Sequence, residues 1–120
     1  RSVEAKVAGP TALLIAKAHK IHDRLEQSAQ SGRLIDKDAS DVYLLMRNLG
    51  AEDAKATVGR LLADPVSADA TQTGLRYLDD QFGTRRADGV EMAIRALAAG
   101  QREEGRIRSV CTTFMDSLVA

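Results

Sequence analysis

Proline stands at only two positions, Pro10 and Pro65, and from the first of them onward apolar residues recur at the spacing of a helix face. Proline interrupts helices and sheets alike, so long stretches without it leave the periodicity free to decide the fold. Ile107, Val110, Cys111, Phe114, Met115 and Leu118 trace a core-facing stripe at 3.6 residues per turn. Leu14, Ala18, Ile21 and Leu25 trace another, and Leu75, Leu78 and Phe82 a third. The aromatics are few (Tyr43, Tyr77, Phe82 and Phe114), so Leu, Val, Ile, Ala and Met must build the core. Abundant alanine favours helices further. These features predict an all-α fold, a compact bundle of five to six helices.

Punctuation places the elements. Gly9-Pro10 opens helix one, which is predicted from Pro10 to Gln27, since proline suits a first turn. Ser28 to Gly32 is small and polar and reads as a loop. Helix two is expected over Lys37 to Asn48, with Gly50 just past its end. Helix three covers Glu52 to Ala63, because the residue before Pro65 disfavours helical geometry. Helix four covers Ser67 to Phe82, and Gly83 to Ala87 forms a loop. Helix five is expected from Asp88, as its cap, to Ala98, with Gly100 closing it. Helix six covers Arg102 to Leu118. Residues 1–8 differ: Val3, Ala5 and Val7 alternate with polar neighbours, the period of a strand. A lone strand cannot satisfy its backbone. Residues 1–8 are therefore either an edge strand, paired outside this chain, or an unstructured leader. The helical domain is residues 9–120, and the chain is expected to be the C-terminal piece of a longer protein.

Charge excludes several functions. The 120 residues carry 17 Lys and Arg against 17 Asp and Glu, so no global field draws nucleic acid or an anionic membrane. No apolar run approaches the roughly 20 residues of a membrane span. One cysteine, Cys111, offers neither a disulfide nor a metal spacing, and a cytoplasmic setting fits. It sits mid-stripe and reads as a small core residue.

Local charge is more informative. Lys17, Lys20 and Arg24 lie at i, i+3 and i+7 along the edge of helix one's apolar stripe. Such side chains can snorkel their charge to water. A row of three in register also suits a polyphosphate, because both types only donate and stay charged. On helix two, Asp38 and Asp41 share a face with Val42, Leu45 and Leu49. Asp38 with Asp41 resembles an N-cap followed by an acidic third residue. A cation from helix one, Arg24 or Lys17, explains better why Asp41 leans toward the interior. The short connection makes helices one and two antiparallel, which brings these groups together. Removal of Asp41 is then expected to be strongly destabilising if the pair is buried.

Other motifs are weaker. Asp36-Lys37-Asp38 has the Asp-x-Asp spacing of two-metal sites, yet at a helix start those side chains diverge, unlike on a strand. His19 and His22 fall with Asp23 and Glu26 on what reads as a solvated face, with no third soft ligand. Arg85 and Arg86 lie in a loop without aromatic neighbours and read as surface.

Leu14-Ile15-Ala16-Lys17, an arginine at Arg24, and then Lys37-Asp38-x-x-Asp41-Val42-Tyr43 together resemble the C-terminal helical region of AbiEii-type nucleotidyltransferases, over about residues 3 to 47. These are DNA-polymerase-β-like enzymes, many of them toxins of toxin–antitoxin systems. The resemblance implies that Lys17, with Lys20 and Arg24 beside it, helps hold nucleotide. It implies a supporting role for Lys37, Asp38, Asp41 and Tyr43. It further implies a preceding nucleotidyltransferase domain whose strand-borne Gly-Ser and Asp-x-Asp bind Mg and NTP, an RNA or protein acceptor, and an antitoxin partner. This chain has no Gly-Ser before a strand-borne acidic pair, so no catalytic or metal-binding residue and no cofactor is assigned to it. Alone it is expected to be inactive, since nothing in it would stabilise charge at a transferred phosphoryl group. The alternative is a non-enzymatic helical scaffold or partner-binding module.

Overall fold

Helix α1 shows how local chemistry sets the frame. It runs over Ser2–Glu26 but is broken at Gly9, whose backbone (φ 52°, ψ 179°) lies where side chains are rarely tolerated. Pro10 follows at the first turn of the second segment, where a missing N–H costs nothing. The computed structural model describes residues 2–27 and 32–119. Among them the chain is all-helical: α1 is followed by α2 (Gly32–Asn48), α3 (Ala51–Ala63), α4 (Ala68–Phe82), α5 (Asp88–Leu97) and α6 (Gln101–Val119).

Residues 2–8 are therefore helical and not an edge strand. No strand exists among the described residues to pair with them, and a helix satisfies its backbone without a partner. The loop expected at Ser28 to Gly32 lies outside the described residues up to Ser31, and Gly32 already belongs to α2. Helix α2 thus starts five residues ahead of the expected Lys37. The other boundaries fall within about two residues of the reading from sequence. Asp88 is the first residue of α5 and not its cap; Ala87 holds that position with no side-chain bond.

One core serves all six helices. Leu14, Ala18 and Ile21 of α1 meet Ala39, Val42 and Tyr43 of α2, Leu78 and Phe82 of α4, Val90 and Ala93 of α5, and Ile107, Cys111 and Met115 of α6. Leu25, expected to extend the α1 stripe, is 45% exposed, because it lies in the helix's last turn. Helix α2 packs chiefly on α5, and α1 on α4. The α1–α4 approach depends on Gly74: a Cβ there would stand 2.5 Å from Ile15 Cγ2 and 3.1 Å from the His19 ring. The radius of gyration is 14.0 Å, matching the ~14 Å of a compact chain this long. No described helix is long and apolar enough to cross a membrane.

Candidate functional site

Helical periodicity aims Lys17, Lys20 and Arg24 at α2, and the structure brings all three to Asp38. Arg24 Nη1 donates to Asp38 Oδ2 at 3.0 Å. Lys20 Nζ stands 3.4 Å and Lys17 Nζ 3.6 Å from Asp38 Oδ1. Lys17 Nζ also donates to Asp41 Oδ2 at 3.2 Å, and Lys37 Nζ reaches the same oxygen at 3.3 Å. The pairs 24–38 and 17–41 run in opposite directions along the two helices, so α1 and α2 are antiparallel, as expected.

Asp38 is the centre of this seam, not Asp41. It is 5% exposed and lies in the second turn of α2, which begins at Gly32. It caps nothing; the capping reading fails because the helix starts upstream. The Asp41 side chain keeps 30% of its exposure, and those of Lys20 and Lys37 keep 46% and 72%. Four cations thus face two carboxylates, leaving two surplus positive charges on the solvent side. Lys17 and Asp41 also line an open groove of about 400 Å³ with Leu13, Leu44, Leu45 and Asn48.

Tyr43 does not join them. Two residues from Asp41 is 200° around a helix, and Tyr43 is buried on the far side. Its hydroxyl donates to Glu103 Oε2 of α6 at 3.4 Å. Burial pushes its pKa above 10.0, and the Glu103 carboxylate adds to the shift. Asp36 and Asp38 diverge by the same angle. Asp36 takes a forked bond from Arg95 of α5, at 3.0 Å to Nη2 and 3.3 Å to Nε.

The histidine face is covered, contrary to the solvated reading. The His22 ring stacks on Tyr77 of α4 at 3.7 Å and 7°, and His19 meets the same ring edge-on at 5.3 Å. His19 Nε2 lies 2.8 Å from Ala70 O, so that nitrogen carries the proton and donates. Among the described residues no three His, Cys, Asp or Glu side chains group as metal ligands.

Arg108 escaped the reading from sequence. It is 8% exposed and binds Arg85 O at 2.6 Å, Glu91 at 2.8 and 3.4 Å, and Glu104 at 3.3 Å. These bonds clasp the α4–α5 loop to α6. The Arg108 bond holds the Glu91 carboxyl below its usual range. Its position next to Ile107 on the stripe, four residues after Glu104, was the available signal. Cys111 is fully buried, and burial pushes its thiol up to about 12.

Comparison with known proteins yields no match: none to a protein-family model, a curated protein or a solved structure.

Proposed function

We propose that this chain is the C-terminal helical lobe of an AbiEii-type nucleotidyltransferase, and that the α1–α2 seam faces the phosphates of a nucleotide or of an RNA or protein acceptor. The observation carrying this is the charge imbalance of the seam, four cations braced on two carboxylates. Asp38 fixes the cations on α1, so a phosphate meets donors already in place and less ordering opposes binding. Lys17, shared by two carboxylates, can exchange one of them for a phosphate oxygen in a charge-assisted bond. The metal-binding carboxylates belong, in this reading, to a preceding nucleotidyltransferase domain, and an antitoxin would bind the assembled protein.

Titration calorimetry of the chain with inorganic triphosphate at low ionic strength tests this. Saturable heat is expected, with Lys17→Ala or Lys20→Ala weakening affinity by about tenfold, the worth of one charge-assisted hydrogen bond. Asp41→Asn, which frees Lys17, is expected to tighten it. No saturable heat, or an affinity indifferent to Lys17, would defeat the proposal. The second reading, a non-enzymatic scaffold or partner-binding module, is favoured by one fact: Lys17 and Arg24 already have carboxylates within 3.2 and 3.0 Å. On that reading the seam is a brace, and triphosphate leaves it untouched.

A further inference from the structure

A second site stands away from the seam, and it does not rest on the nucleotidyltransferase reading. His22 and Leu25 of α1, Tyr77, Asp80 and Gln81 of α4, and Asp88 of α5 enclose a cavity of about 110 Å³. Every charged group lining it is a carboxylate. Neither Asp80 nor Asp88 has a hydrogen bond or ion pair among the described residues. Gln81 is 5% exposed and donates through Nε2 to Ala18 O at 3.0 Å. That bond fixes the amide's orientation, since the reverse would set two oxygens against each other. It leaves Gln81 Oε1 buried with no donor, alone in this among the buried side-chain atoms described. Buried acceptors are satisfied almost everywhere in folded proteins, so an orphan calls for a physical cause. Here it belongs to a cavity whose other polar groups also lack a donor.

We propose that this cavity binds a guanidinium cation. The occupant must donate hydrogen bonds and carry positive charge. A metal ion needs ligands converging on a point, and no such convergence of His, Cys, Asp and Glu exists among the described residues. An ammonium is a compact, strongly hydrated point charge. A guanidinium spreads five N–H donors around a plane, so acceptors on separate walls can each be reached. Its flat faces pack on aromatic and aliphatic surface, which Tyr77, His22 and Leu25 supply. The cation comes either from a free small molecule or from an arginine side chain of a partner protein.

NMR titration of the full chain with methylguanidinium chloride, against sodium chloride at equal ionic strength, tests the site. Saturable shifts are expected at the Gln81 side-chain amide and the Tyr77 ring protons. Asp80 and Asp88 are both exposed, so the double variant Asp80→Asn, Asp88→Asn folds, as an unchanged amide spectrum elsewhere would verify. It should bind about tenfold more weakly for want of charge-assisted acceptors. An end-blocked Gly-Arg-Gly peptide binding as well as methylguanidinium assigns the site to a partner's arginine; binding of methylguanidinium alone assigns it to a free ligand. A linear response matching sodium chloride, equal binding of ethylammonium, or an unaffected double variant would overturn the proposal.

Discussion

A carboxylate left 5% exposed has given up most of its hydration, and Asp38 recovers the loss from Arg24, Lys20 and Lys17 together. Removing one member of a buried pair leaves the other charge uncompensated, typically at ~3–5 kcal/mol. The partners of Asp38 keep part of their solvent, so Asp38→Asn is expected to cost about 2–3 kcal/mol. Asp41→Asn, on a carboxylate 30% exposed, should cost under ~1 kcal/mol. Urea unfolding of the two variants measures the order, and equal losses would contradict Asp38 as the centre. The cationic row was legible because i, i+3 and i+7 define one helix edge whatever the exact helix ends. The depth of Asp38 was not, because depth depends on where α2 begins. Gly32 and Arg33 carry no cap signature, and the first turn of α2 has no acidic residue. Without such a signal the acids themselves were taken to mark the start.

At the scale of the element, α5 ends where its sequence offers no reason to end. Ala98 adopts φ 49° and ψ 46°, the left-handed conformation that glycine usually takes. Its N–H bonds to Arg95 O at 3.1 Å and that of Ala99 to Ile94 O at 3.2 Å, the paired bonds of a Schellman turn. The chain therefore turns two residues before Gly100, the residue that reads as the stop. Ala98→Gly is expected to stabilise the protein by about 0.5–1 kcal/mol, since relief of the left-handed strain exceeds glycine's added entropy. A thermal midpoint unchanged or lowered by this substitution would mean the turn carries no strain. Most helix ends were legible because glycine and proline mark them. The leader was misread because three alternating residues cannot outweigh the lack of a strand partner. The α1–α4 contact was hidden for another reason: nothing local distinguishes Gly74, whose role is set by Ile15 and His19 far away in sequence.

At the scale of the whole molecule, the aliphatic stripes foretold a single bundle, and Cys111 reports on its integrity. Ile107, Cys111 and Met115 are all 0% exposed on α6, so no reagent reaches the thiol unless the core opens. Burial raises the folded thiol from 9.0 to about 12. The unfolded chain therefore loses this proton near pH 9 while the folded chain keeps it. The stabilisation that the neutral thiol provides is complete below pH 9 and is lost as the pH climbs toward 12, by about 1.4 kcal/mol per pH unit. Tyr43 shifts in the same direction and adds a loss of its own above pH 10. Comparing the chain with Cys111→Ala separates the two, because Tyr43 is common to both. The stability gap between them, set near neutrality by the cavity left at position 111, should narrow steadily from pH 9 upward. Parallel pH profiles would mean that the thiol ionises inside the folded protein, which a core sealed by six helices does not permit.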